Sequence, residues 1–423
     1  MSEAIRRFGP AAIGVAVALY IFDKIEMDPF MSVVIIVLGL AAWLLADTKY
    51  SKWIGVAILV WAIVLPLFHD SGQGFIDDAN IMLAYVVMAL GLNIVVGFAG
   101  LLDLGYVAFF AFGAFCMGWF GSSFFAGVND GEGIHIFVSD LVSQQAGIHA
   151  NFLVVVIAAV IITAMAGALI GLPTLRLRGD YIAIVTLAFG EIIGRVAING
   201  DSIGLGGGET LTAGRQGITP VDKIDLPFVD VFQSLNLRPW YWTALAMVLI
   251  VLFVNFRLRD SRLGRAWIAL REDEVAAASM GVPLVRTKLM AYATGAAFGG
   301  ISGAFLASYL NTVNADQFQF SFSIFVLAMV ILGGLGSIWG VTVGGLVLAF
   351  IINTFIPDIA RSWPRDVGLD FDLTEISFAI FGFLLVIMMI LRPEGLIPER
   401  RRQIELHEGI GGGEGTDLYE ARV

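Results

Sequence analysis

Apolar runs of roughly 17–25 residues recur along this chain, each long enough as a helix to cross the ~30 Å hydrocarbon core of a bilayer. Apolar segments lie at about 10–22, 30–46, 53–68, 79–98, 103–125, 151–172, 180–198, 240–256, 288–310, 321–334, 338–356 and 375–391. Lipid offers no partner for an unpaired backbone amide, which leaves helices as the spanning element. The sequence therefore predicts an all-α polytopic membrane protein of 10–12 transmembrane helices, some of them broken or re-entrant. The first run is short, and 321–356 also reads as one crossing plus a re-entrant hairpin. Only 14% of residues are charged, against about 25% in soluble domains. A net charge of −11 argues against nucleic acid as a partner. The single cysteine, Cys116, excludes an internal disulfide framework.

The distribution of basic residues predicts sidedness. With the N-terminus in the cytosol, Arg6, Arg7, Lys49, Lys52, Arg176, Arg178 and the tail arginines Arg392, Arg400, Arg401 and Arg402 all fall inside. Loop 127–150, on the other side, has acids and no Lys or Arg, and outer loop 199–239 has five acids against three basic residues. Arg6 and Arg7 precede an apolar stretch as in a signal sequence, but Asp23-Lys24 follows without a small-x-small cleavage pattern. This stretch is read as the first membrane helix. Residues 1–75 then form an N-terminal extension of about three helices and 76–398 a membrane core. Residues 399–423, Gly-rich and acidic, are expected to be a disordered tail. Outer loop 199–239 is long enough to fold over the outer mouth, with a flexible Gly-rich stretch at Gly204–Gly214.

The cytoplasmic loop 257–288 stands apart. Its stretch Arg257–Arg286 concentrates six arginines and four acids within 30 residues. Arg271–Met280 favours a short helix that Gly281 and Pro283 would end. Upstream, Arg262, Arg265, Trp267 and Leu270 form a second amphipathic turn. Small residues at Ala276, Ala277, Ala278, Ser279 and Gly281 favour close packing against a partner surface, whereas charge alone fits a solvated connector equally well.

Ser261–Val282 resembles the coupling segment of the permeases of prokaryotic branched-chain amino acid ABC importers, the LivM-type subunit in particular. Glu274 lies seven residues before Gly281 and Val275 separates it from the alanines, a spacing similar to that of the branched-chain subgroup. Gly91–Gly118, Leu172–Arg195, Val326–Gly340 and Leu391–Pro398 resemble the same family, so the likeness runs over roughly residues 80–400. It implies import of leucine, isoleucine or valine delivered by a periplasmic binding protein. It also implies a second related permease subunit, two cytoplasmic ATPase subunits and a place in the bacterial inner membrane with both termini cytoplasmic. ATP would be bound by those ATPases, and no cofactor is expected on this chain. The docking residues it implies are Arg265, Arg271, Glu272, Asp273, Glu274, Ala276, Ala277 and Gly281. The same machinery carrying urea, short amides or other amino acids is the alternative.

Polar groups inside apolar runs mark a candidate substrate path at Gly100, Asp103, Gly105, Tyr106, Thr186 and Glu191. Glycines clustered at Gly97, Gly100 and Gly105 are expected to break a helix, and broken helices expose amides and carbonyls at midplane where transporters bind substrate. Asp103 departs from the Ser or Val expected of the family. Glu191 and Arg195, four apart with the acid first, share a helix face and read either as a structural ion pair near the outer boundary or as part of the path. Gly295, Gly299, Gly303, Gly336, Gly340 and Gly344, at four-residue spacing, are expected to serve helix packing. Enzyme chemistry finds no support: the four histidines are scattered without metal-ligand spacing, and no lysine sits in a GxxxxGK[ST] motif. An ion-coupled secondary transporter is the more distant reading, with no internal repeat in its favour.

Overall fold

The computed structural model describes residues 59–67, 74–138, 145–174, 180–206, 209–225 and 231–355, with short pieces between 382 and 397. The tail, most of the N-terminal extension and the predicted crossings at 10–22 and 30–46 lie outside the described residues, and most of 375–391 does too.

Ten helices are named here in chain order: α1 (Gly74–Leu92), α2 (Val107–Phe120), α3 (Phe152–Thr174), α4 (Asp180–Asn199), α5 (Arg238–Asp260), α6 (Arg262–Glu272), α7 (Glu274–Ser279), α8 (Leu284–Leu310), α9 (Phe320–Gly333) and α10 (Ile338–Phe350). Among the described residues, five segments are long and apolar enough to cross a membrane: Gly74–Phe98, Phe152–Pro173, Tyr181–Ser202, Arg238–Asp260 and Leu284–Leu310. The helices α2, α9 and α10 are shorter and apolar.

Helix α8 is the axis of the bundle and packs most heavily against α3, α2 and α1. The glycine spacing explains how. A Cβ at Gly303 would sit 2.2 Å from the carbonyl oxygen of Phe110 on α2, and one at Gly295 would sit 2.5 Å from Val95 Cγ2. Without side chains at these positions the backbones approach closely, which is how helices gain contact in lipid. Gly340 and Gly344 do the same between α10 and α9, where a Cβ would strike Gly333. Gly336 departs from the expected packing role. It lies in the turn joining α9 to α10 at φ +84°, and its amide donates to Asn93 Oδ1 (3.0 Å).

Two of the predicted runs are half-helices. Run 103–125 becomes helical only at Val107, and α2 covers about 21 Å at 1.5 Å per residue. Helix α9 is equally short and starts deep in the bundle, since a Cβ on Gly194 of α4 would touch the Phe318 carbonyl just before it. The α9–α10 turn reaches the end of the bundle that carries α6 and α7.

The opposite end is capped by short strands, β1 (Gly121–Ser122), β2 (Ile134–Ile136) and β3 (Ile148–Ala150), in the order β1-β3-β2. His149 pairs in register with Gly121 antiparallel and with His135 in parallel. Loop 199–239 folds across the same end, where Trp119 Nε1 donates to Leu211 O and the Asp222 amide donates to Gly121 O. The stretch Gly204–Gly214, expected to be flexible, instead pairs Gly204–Gly206 (β4) antiparallel with Glu209–Thr210 (β5), because backbone groups without helix or lipid find partners in one another.

Candidate functional site

The charged insert folds into two helices, but the break falls at Asp273, inside the stretch Arg271–Met280 expected to be one helix, because the Asp273 side chain caps a new helix start. Ser261 Oγ accepts from the Gly264 amide and starts α6. Asp273 Oδ1 accepts from the amides of Val275 and Ala276 and starts α7. Gly281 adopts φ +85°. Its amide donates to Ala278 O and that of Val282 to Ala277 O, the paired bonds that close a helix C-terminus on a left-handed residue.

One face of this pair is bound to the chain's own body. Trp267 is fully buried, and its Nε1 donates to Thr287 O at 2.9 Å. Lys288 Nζ, 2% exposed, lies 2.7 Å from Glu274 Oε1. Arg271 Nη1 donates to Gly97 O at 2.7 Å. Of the eight residues expected to dock a partner, Arg271, Glu274 and Ala277 are therefore turned inward. The reason is that α6 and α7 must themselves be anchored on α8 and on the end of α1. Arg265, Glu272, Asp273, Ala276 and Gly281 are exposed. Val275 (60%) and Met280 (86%) add an apolar tip that sequence reasoning had not singled out.

Arg271 leads directly to the broken helix. Beyond α1 the chain makes a π-helical turn, Asn93–Phe98, and then leaves helical geometry at Gly100, which has φ +68° and lies against the Arg271 side chain. The segment is pinned from several elements. Thr186 Oγ1 on α4 accepts from the Leu104 amide at 3.0 Å. Asp103 Oδ1, in a buried side chain, accepts from the Gly105 amide at 2.9 Å. The Val107 amide, an unpaired donor of the α2 N-terminus, finds Ser323 Oγ on α9 at 3.0 Å. Gly105 abuts the Thr186 carbonyl, where a Cβ would lie 1.9 Å away. Tyr106 is fully buried, and its hydroxyl donates to Gly295 O at 2.7 Å. Five of the six predicted path residues thus meet at one break, with Thr186 and Tyr106 serving to hold it. Ser323, Asn93 and Lys288 were missed. Each is a lone polar residue in an apolar run, and that was the available signal.

Glu191 lies elsewhere, on the exposed face of α4 with Arg195. It is the eleventh residue of the 22-residue apolar segment Tyr181–Ser202. The expected ion pair between the two does not form, in contrast to Lys288 and Glu274 at 2.7 Å. A charge facing lipid is costly, up to about 2.5–3.5 kcal/mol at the bilayer centre on insertion scales. A cavity of about 430 Å³ adjoins this face between Ile192 and Ile203, and another of about 350 Å³ lies between Arg195 and Ser321. A third, of about 320 Å³, is walled by Tyr85, Phe110, Phe322 and Phe325, with Gln319 and Ser321 at its edge.

At the strand-capped end the histidines are less scattered than their sequence positions implied. The rings of His135 and His149 stack at 5.6 Å, and His149 Nδ1 lies 2.7 Å from Asp222 Oδ2. Burial pushes the Asp222 carboxyl above the usual carboxylate range, and contact with His149 draws it part of the way back. Among the described residues no three His, Cys, Asp or Glu side chains gather as a metal site.

The arrangement joins a helical insert to a broken membrane helix. The family described as "Branched-chain amino acid transport system / permease component" matches residues 76–391. The chain belongs to that permease family. It is 36% identical over 388 residues to the high-affinity branched-chain amino acid transport system permease protein LivM of Escherichia coli, covering 87% of this chain and 80% of that protein. A probable LivM of Methanocaldococcus jannaschii is 27% identical over 75% of this chain and 91% of its own length. The permease is also 28% identical to LivH of E. coli over 158 residues, 37% of this chain and 46% of LivH. No solved structure matches. The permease is thus a multi-pass membrane protein whose relatives LivM and LivH are both named as permease proteins.

Proposed function

We propose that this permease imports branched-chain amino acids as one of two related membrane subunits of an ATP-driven transporter, with α6 and α7 as the handle gripped by cytoplasmic ATPase subunits. One observation carries the reading. The insert is a rigid helix pair with an exposed tip, and Arg271 ties it directly to the carbonyl end of α1, where the membrane helix breaks. Force applied to the tip reaches the break through that hydrogen bond, and reaches α8 through the Glu274–Lys288 pair. Rigid-body movement of α6 and α7 then shifts two elements of the core together, as alternating access requires.

The concentration of arginine in the insert supports a cytosolic position and, with it, a periplasmic position for the strand-capped end and loop 199–239, where a binding protein would deliver substrate. The relatives' names and the aromatic-walled cavity beside Gln319 and Ser321 support leucine, isoleucine or valine as cargo. That cavity offers apolar surface for a branched side chain and dipoles for its zwitterionic end. ATP acts on the partner subunits, and this chain's own work is to bind, transmit and open. The test is uptake by proteoliposomes containing both permease subunits, the ATPases and the binding protein. ATP-dependent leucine accumulation that vanishes when the ATPase or binding protein is left out is expected. Uptake by this chain alone, driven by an ion gradient, would refute the reading.

A further inference from the structure

The cavity of about 320 Å³ beside the start of α9 has two unlike walls. One is aromatic. Tyr85 of α1 meets Phe322 and Phe325 of α9 edge-on, with ring centroids 5.3 and 5.5 Å apart, and Phe110 of α2 lies 5.2 Å from Phe322. Edge-to-face pairs attract beyond the area they bury, which holds this wall in place. The other wall is polar. It carries Asp316, on the 3-10 turn Ala315–Phe318, and Asn353, in the π-helical turn Ile351–Phe355 that follows α10. Both turns are tied down, since the Asp316 amide donates to Asn314 Oδ1 at 3.0 Å and Thr354 Oγ1 donates to Asp78 Oδ2 at 2.7 Å. Among the described residues, neither the Asp316 carboxylate nor Asn353 Nδ2 has a partner, and Asn353 Nδ2 is enclosed by protein. The neighbouring acids differ: Asp77 accepts from the Tyr309 hydroxyl, and Asp78 from Thr354. A negative charge and an enclosed donor are thus both left over at the polar end of this cavity.

We infer that Asp316 binds the ammonium group and Asn353 the carboxylate of an α-amino acid whose apolar side chain lies among Tyr85, Phe110, Phe322 and Phe325. The inference rests on the amino acid import proposed above and adds the residues that select the cargo. An enclosed donor without an acceptor is costly, and the ligand's carboxylate supplies that acceptor. The volume is at the lower end of the about 300–1,000 Å³ of small-ligand sites, which suits a single small amino acid. Urea and short amides bring no cation for Asp316 and little apolar surface for the rings. A site built to bond a polar group rejects an analogue lacking it, because the site's own group is then left unpaired. Position agrees with this role. Leu310 lines the same cavity, and the next residue, Asn311, accepts through its carbonyl from the Val221 amide of loop 199–239. The cavity therefore lies toward the strand-capped end, from which substrate arrives in that reading.

The test uses the assembled complex in a Cys116→Ser background with Gln317→Cys as reporter, because Gln317 lines this cavity and not the neighbouring one beside Arg195. Labelling by a small thiol reagent is timed in the presence of leucine, of isocaproate, which lacks the ammonium, and of isoamylamine, which lacks the carboxylate. Leucine is expected to protect at a concentration about ten-fold below that of either analogue, as the loss of one charge-assisted hydrogen bond implies. Asp316→Asn is expected to raise the protecting leucine concentration by the same factor and to bring it level with isocaproate, whereas Asp316→Glu keeps the preference. Asn353→Leu is expected to bring leucine level with isoamylamine. These ratios compare ligands on one protein, so a merely structural role for either residue would not move them. Equal protection by leucine and isocaproate, or a leucine preference unchanged in Asp316→Asn, would overturn the inference. Leucine uptake by the Cys116→Ser complex separates the two failures. ATP-dependent uptake without protection of Gln317→Cys overturns only the site, whereas an assembled complex that takes up no leucine overturns the import reading itself.

Discussion

Replacing Arg271 with alanine should uncouple ATP hydrolysis from transport while leaving the permease folded. The side chain makes one charge-assisted hydrogen bond, 2.7 Å from its Nη1 to the Gly97 carbonyl. Such bonds contribute about 1.5–3 kcal/mol. Arg271 is only half-buried, so solvent screening favours the lower half of that range, about 1.5–2 kcal/mol. If the ATPase moves the broken helix through this bond, losing it shifts the driven equilibrium by about 10- to 30-fold, at about 1.4 kcal/mol per factor of ten. The assay is the ratio of leucine accumulated to ATP hydrolysed in proteoliposomes holding the full complex. Arg271→Ala should lower that ratio about ten-fold while ATPase association is kept. Arg271→Lys keeps the charge but loses the planar fork and should fall between. A normal ratio in Arg271→Ala, with normal complex assembly, would refute the idea that force travels through Gly97.

Two further outcomes follow from other contacts. Glu274→Ala strands Lys288, which is 2% exposed, whereas Lys288→Met leaves a partly exposed carboxylate. The first should destabilise by about 2–3 kcal/mol, below the ~3–5 kcal/mol of a wholly buried pair, and the second by less than about 1 kcal/mol. Thermal unfolding in detergent checks that asymmetry, and equal losses would contradict it. Burial raises the Asp222 carboxyl above its usual range, so the folded protein holds this proton to higher pH than the unfolded chain. Its contribution is therefore fully present below the usual carboxylate range and is lost as pH rises through the raised value. Asp222→Asn should flatten the stability profile across that window, and an unchanged slope would show that Asp222 does not set it.

The membrane architecture was legible because apolar run length and helix rise leave little choice. The boundaries of α3, α4, α5 and α8 follow their runs closely. The stop of the insert was legible for the opposite reason, since Gly281 and Pro283 are local signals, whereas the caps at Ser261 and Asp273 went unread. Around position 103 the break was legible from Gly97, Gly100 and Gly105, but the start of the next helix was not. The run looks apolar from position 103, but the Leu104 and Val107 amides bind to Thr186 and Ser323, distant in sequence, and the helix waits until Val107. Glu274 shows a second limit. Its likeness to a coupling-segment residue did not reveal that Lys288, 14 residues on, would claim its carboxylate. Glu191 and Arg195 share the face their spacing implied. Yet their failure to pair depends on side-chain geometry, and the sequence does not encode that locally.

The central claim is that the α7 tip faces the cytosol and lies against an ATPase. The most direct measurement is thiol labelling of Ala278→Cys in a Cys116→Ser background, using a reagent that does not cross membranes. Labelling in inside-out vesicles, none in intact spheroplasts, and protection when the ATPase is bound are the predicted results. Labelling from the periplasmic side would contradict the account outright.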